Sequence, residues 1–255
     1  MGVEVGPDEQ HIDKRWLMAY NAALGAVEEP AHPLFPVCYE WPVTRLLRER
    51  AGLAPIDARL VHAQHDLILH KKVCAGVLHV GGKVVAVMQK KPGALVVFRF
   101  TTLDAQGELV STTDFSALYR DVKLDAADRS VAKLEDPPRH TQELEAAGEI
   151  EVAPTAAHVY TECARIWNPI HTDREYARAA GLPDIILHGT ATLALSTSRV
   201  LSRFNTEPKR IRCRFSGMVL LPSTLSVHAA RDGTAIAFET RGPRGDAVIQ
   251  RGWIS

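Results

Sequence analysis

The chain is poor in the features that staple, anchor or charge a protein. It has four cysteines in 255 residues, Cys38, Cys74, Cys163 and Cys213, with no C-x-x-C pair among them. That scatter excludes a disulfide framework, argues against a zinc site, and points to free thiols in a reducing cytoplasm. No apolar run approaches the ~20 residues that span a bilayer. The first residues, MGVEVGPDEQHIDKRW, lack the apolar core of a secretory signal. No membrane partner is therefore expected. Neither charge is in excess, with 30 basic and 30 acidic residues. A nucleic-acid partner, which needs a basic surplus, is not expected either.

What the chain does have is apolar material, 46% of its residues. That is enough for one large domain or for two fused units of about 120–130 residues each. Residues 1–12 read as a loose, charged start. Lys14 to Val27 carries Trp16, Leu17, Tyr20 and Leu24 on helical spacing. Glu28 to Pro36 is a proline-rich loop holding His32. Val37 to Trp41 reads as a short strand or loop edge, and Val43 to Ala51 as a helix. From Val73 to Tyr119 the pattern is strand-like, with turn signals at Gly81-Gly82, Pro92-Gly93 and Asp104 to Gly107. Residues 121–149 are polar, contain Pro137-Pro138, and read as a linker. Strand, helix and strands then follow again, with a long helix expected from Gly189 to about Phe204. The division is 1–122, a linker 123–149, and 150–255. The order fits an α+β chain of two similar halves.

His62, His65 and His70 stand close together, but their spacing makes no helical metal face. In a regular extended strand His62 and His65 face opposite sides, so no metal is expected there. Lys90, Lys91 and the basic alternation over 209–214 read as solvated strand faces.

Residues 160–190, YTECARIWNPIHTDREYARAAGLPDIILHGT, are the most informative segment. Asn168 and His171 flank a proline that ends the preceding helix and stiffens the turn. A histidine so placed can take or give a proton near neutral pH. His188-Gly189 opens the next helix, where free backbone N–H groups and the positive dipole end can hold a developing oxyanion. Glycine lets a ligand carbonyl come close to the backbone. A base and an oxyanion donor together suit proton chemistry beside a thioester carbonyl.

This segment resembles the MaoC-like, (R)-specific enoyl-CoA hydratases of the hot-dog fold. Their signature runs Gly-Asp-x-Asn-Pro-x-His-x-Asp, an alanine-rich helix, and Gly-Phe-x-x-Pro-Ile-Leu-His-Gly. Asn168, Pro169, His171, Asp173, Ala177, Gly181, Leu187, His188 and Gly189 match in order and spacing. The family's catalytic aspartate falls at Ile166, and its preceding glycine at Arg165. The resemblance implies a double hot dog, two antiparallel sheets each wrapped around a long helix. It further implies that the second half carries the chemistry while the first widens the acyl cleft. The expected activity is a hydro-lyase acting on an enoyl or 3-hydroxyacyl thioester of coenzyme A or an acyl carrier, with no cofactor. The candidate catalytic residues are His171, Asn168 and Glu162. Glu162 lies one turn before Ile166 and could supply the missing carboxylate. Ile166, His188 and Gly189 are candidate substrate contacts, as is Asp173, which also holds the loop. Two other readings stand beside this one. His171 could act alone in a dehydration, isomerisation or cyclisation of a bulky substrate, or the chain could be a non-catalytic acyl-binding subunit. A homodimer is compatible with each.

Overall fold

The computed structural model describes residues 1–26 and 30–255. The expected helix end at residue 27, and residues 28 and 29 of the proline-rich loop, lie outside the described residues. In chain order the first half has β1 (Glu4–Ile12), α1 (Lys14–Ala23), α2 (Pro36–Arg50), β2 (Leu60–Leu69), β3 (Gly76–Lys90), β4 (Gly93–Asp104) and β5 (Leu109–Arg120). A two-residue strand, β6 (Arg129–Ser130), precedes β7 (Glu145–Val152), α3 (Ala156–Ala164), α4 (Arg174–Ala179) and α5 (Gly189–Phe204). The chain closes with β8 (Arg210–Phe215), β9 (Ser223–Asp232), β10 (Ala235–Arg241) and β11 (Ala247–Ile254).

All strand pairs are antiparallel, in the order β1-β3-β4-β5-β2-β8-β11-β10-β9-β7, with β6 added beside β3. From either outer edge inward, each half runs first, third, fourth, fifth, second strand. Each half inserts its helices between its first and second strands. This is the double hot dog. Its two sheets are joined by ladder hydrogen bonds where β2 pairs β8, from Gln64 opposite Arg214 to Ile68 opposite Arg210. The pair is thus one continuous sheet.

Each half wraps its sheet around one long helix. Asp13 caps α1, accepting from the Trp16 amide at 2.7 Å. Pro36 starts α2 at the first helical turn, where its missing N–H costs nothing. α2 buries Tyr39, Val43 and Leu47 on one face, and α5 buries Leu193, Thr197 and Val200. Burying each leucine or valine stabilises the fold by roughly 1.5–3 kcal/mol.

Several local expectations are corrected. Residues 4–12 are a strand paired with β3 rather than a loose start. Val37 to Trp41 is helical. Pro42 looks like a breaker in sequence, but it stands inside α2 and the buried face carries the helix through it. Gly81-Gly82 is no turn, for both lie within the unbroken β3. A Cβ at Gly82 would sit 3.0 Å from Val43 Cγ1 and 3.1 Å from the Phe100 ring. Glycine there admits α2 onto the sheet. Within 121–149, β6 pairs β3 and β7 starts at Glu145 rather than at Ile150. The 209–214 face is only partly wet: Arg210 and Arg212 both pair with Asp66, and Arg212 also donates to the Glu135 carbonyl at 2.8 Å.

Candidate active site

α3 ends on Arg165, whose φ of 58° puts it in the left-handed region that glycine fills most easily. That accounts physically for a glycine at this place in the resembling signature. Here the arginine is retained with its guanidinium 4.1 Å from the centroid of the Trp16 ring, a cation–π contact that offsets part of the backbone cost. The chain then turns through Ile166 and Trp167 to Asn168. Its side chain caps a single 3-10 turn, Pro169–His171, accepting from the Ile170 amide. Asp173 caps α4 in the same way, accepting from the Tyr176 amide at 3.0 Å. These two caps and Pro169 set the direction of His171.

His171 is 8% exposed. Its Nδ1 lies 2.8 Å from the Ile186 carbonyl oxygen. A carbonyl can only accept, so Nδ1 carries the hydrogen and Nε2 the lone pair. Burial lowers the pKa to about 4, against a smaller opposing effect of the Ile186 bond. The ring is therefore a neutral base with its acceptor nitrogen fixed. It stacks on His188, with centroids 3.6 Å apart and planes 22° from parallel. His188 Nε2 is 3.3 Å from both the Thr161 hydroxyl and the Ile166 carbonyl, which fixes its hydrogen on Nε2. Burial first, then the neighbouring His171, hold the His188 pKa well below its usual value. His188 thus ties the end of α3 to the start of α5 and gives His171 a flat platform.

Among the described residues no side chain caps α5. Its first amides, beginning with Gly189, have no partner within the helix. A Cβ on Gly189 would lie 3.3 Å from Phe215 Cε1, so glycine lets the helix start rest against that ring.

His171, His188, Gly189, Ile166 and Asn168 all line one cavity of about 1010 Å³. The cavity lies between the halves, and α2 and β2 supply Glu40, Trp41, His62 and His65 to its wall. Glu162 is placed elsewhere. It borders a shallow depression beyond the Asn168-Pro169 turn, with His158 and Thr172. Asp173 is exposed and serves as the α4 cap, away from the cavity lining. His32 is buried and structural, accepting from the Leu34 amide at Nδ1 and facing Ser198 with Nε2.

Sequence reasoning missed the first-half wall. A bulge in β2 between His62 and Gln64 shifts the alternation, so the His62 and His65 rings meet at 5.4 Å instead of facing opposite sides. No group of metal-binding side chains occurs among the described residues. Glu40 was hidden in a stretch read as strand or loop edge. Only recognising the helix through Pro42 would have placed it beside Thr113, whose hydroxyl donates to Glu40 Oε1 at 2.6 Å.

A family model described as MaoC like domain matches residues 135–250. Over those residues the chain is similar to that domain family. The chain is 29% identical over 239 residues to peroxisomal multifunctional enzyme type 2 of Drosophila melanogaster, covering 89% of this chain and 39% of that protein. It spans well under half the length of that relative. The structure of the full-length Drosophila enzyme superposes with a TM-score of 0.79 at 26% identity, covering all of this chain and 48% of the other. The crystal structure of a MaoC-like dehydratase from Phytophthora capsici gives a TM-score of 0.85 at 20% identity over 98% of this chain and 94% of that one. The latter shows the fold alone. The matched stretch contributes His171, His188 and Gly189, and the first half closes the cavity over them.

Proposed function

We propose that the protein adds water to the double bond of a 2-enoyl thioester, or removes it from a 3-hydroxyacyl thioester. The carrier is coenzyme A or an acyl carrier. The observation that supports this most is the meeting of a neutral imidazole, with Nε2 bare, and an uncapped helix start at Gly189 on one large cavity. In the hydration direction, the thioester oxygen accepts from the Gly189 amide. Asn168 helps to hold a water. His171 Nε2 takes a proton from that water as its oxygen bonds to the β carbon, and charge builds on the thioester oxygen. The imidazolium then returns the proton to the α carbon, which leaves the ring as it began.

Ile166 supports a second reading. It is buried and apolar where the resembling family has its carboxylate, and Glu162 lies outside the cavity. A substrate bringing its own leaving group would then suit His171 acting alone. We place the protein in the cytoplasm because Cys38, Cys74, Cys163 and Cys213 are all free. No helix among the described residues is long and apolar enough to cross a membrane. Both halves of one chain line the cavity, so a homodimer is not needed to complete it.

The test is to mix the purified protein with crotonyl-CoA and follow the enoyl absorbance. Its loss, abolished in His171→Ala, supports the hydratase. Turnover only of larger enoyl or hydroxyacyl thioesters supports the second reading. Thioester binding without turnover, unaltered by His171→Ala, contradicts both.

A pH profile adds a sharper expectation. The base must be neutral, and His171 is neutral above about 4. Activity should stay level from pH 8 down to about 5, and fall as the ring takes a proton near 4. A profile falling with a midpoint near 6.5, the value of a free imidazole, would contradict a buried base.

A further inference from the structure

The first-half wall of the cavity is not the plain surface that an alkyl chain needs. His65 is 1% exposed, and among the described residues neither of its ring nitrogens has a hydrogen-bond partner. Trp41 Nε1 is buried and unpartnered as well. His62 Nε2 donates to the Gln64 carbonyl at 3.0 Å, which leaves Nδ1 a bare acceptor. Glu40 is 4% exposed, with Oε1 accepting from Thr113. All four residues line the cavity.

Buried polar groups are normally satisfied, so several gathered on one cavity wall point to a ligand. Their positions are tied together by the sheet. Phe115 is opposite His65 and Thr113 is opposite Leu67, so Glu40's anchor and His65 share one face of adjoining strands. The His62 ring lies between Phe115, at 4.1 Å, and Phe215, at 4.4 Å. Phe215 is also the ring on which Gly189 rests. The set therefore begins one aromatic ring from the proposed oxyanion amide and extends into the first half.

The chemistry of the set selects the ligand. Burial raises the Glu40 pKa to about 8, against the smaller effect of Thr113, so near neutral pH it offers an O–H donor. His65 is neutral and offers one donor and one acceptor, His62 an acceptor, Trp41 a donor. A carboxylate set against Glu40, Trp41, His62 and His65 would meet four groups that carry no positive charge; of the arginines that line the rest of the cavity, Arg45, Arg48, Arg120 and Arg214, Arg48 is engaged with Asp57 at 2.5 Å. A ketone only accepts, and would leave the bare histidine nitrogens unmet. A hydroxyl both accepts and donates.

We propose that this wall is a specificity subsite for a hydroxyl group carried on the acyl chain beyond its β carbon. The substrate is then an oxygenated acyl thioester, not a plain fatty one. This rests on the thioester reading above, but is tested by binding alone.

The experiment is calorimetric titration of the whole protein with decanoyl-CoA and with decanoyl-CoAs bearing one hydroxyl at successive carbons beyond the β carbon. At least one hydroxylated chain should bind roughly tenfold tighter than the plain chain. In His65→Phe that ratio should fall to about one, and in Glu40→Leu it should fall likewise. His65→Asn, which keeps a donor and an acceptor, should retain part of it. Circular dichroism confirms that each variant is folded, and Glu40→Leu serves if His65→Phe is not. Equal binding of plain and hydroxylated chains by the wild type, or a ratio that survives both apolar variants, overturns the subsite. Preferential binding without hydration of the matching enoyl thioesters keeps the subsite and overturns the hydratase instead. Absence of all acyl-CoA binding overturns both.

Discussion

Replacing His171 by alanine is expected to lower kcat for enoyl-thioester hydration by about 10³-fold, with KM changed by no more than a few-fold. The loss corresponds to ~4 kcal/mol of barrier. The size follows from the role. In the proposed mechanism His171 is the neutral base, its Nε2 fixed by the bond from Nδ1 to Ile186 and by the stack on His188. Alanine removes the proton acceptor but leaves the Gly189 amide and the cavity, so binding survives while chemistry does not. The fold should also survive, because the ring is hydrogen-bonded to the Ile186 backbone carbonyl, while residue 171's own turn is held by the Asn168 and Asp173 caps. Steady-state kinetics on crotonyl-CoA read both parameters. A fall of less than tenfold in kcat would move the base to another residue.

Replacing Ile166 by aspartate is expected to raise kcat on the same substrate by roughly ten- to a hundred-fold, and to lower stability by about 1–3 kcal/mol. Ile166 is 5% exposed and lines the cavity beside His171. A carboxylate there gives the attacking water a second acceptor and orients it toward the β carbon. The same carboxylate is buried with few partners, which raises its own pKa and destabilises the folded state. Kinetics together with a thermal melt separate the two effects. A variant that melts earlier but gains no rate would show that His171 does not depend on a neighbouring carboxylate, and would favour a substrate that brings its own leaving group.

The parts of this protein legible in sequence are those set by local chemistry. Pro169, between Asn168 and His171, announced a stiff turn, and the turn is there. Gly189 announced a helix start, and α5 begins on it. The second half's strands were visible because alternation and turn residues agree. What sequence could not show depends on distant packing. Pro42 argued locally against a helix, and only the burial of Tyr39, Val43 and Leu47 against the sheet overrides it. Gly81-Gly82 resembled a turn because the reason for Gly82, room for Val43, lies on another element. The bulge that swings His62 toward His65 leaves no mark in composition. Ile166 was visible as a departure from the resembling signature. That no carboxylate from Glu162 replaces it in the cavity required the positions of the side chains.

In the proposed mechanism one base and one backbone amide serve a single acyl carbonyl in a cleft shared by the two halves. A crystal structure with a bound 3-hydroxyacyl-CoA tests this most directly. The thioester oxygen is expected at hydrogen-bond distance, ~3 Å, from the Gly189 nitrogen, with the hydroxyl-bearing carbon beside His171 Nε2. An acyl group seated elsewhere, leaving both of those atoms unengaged, would contradict it.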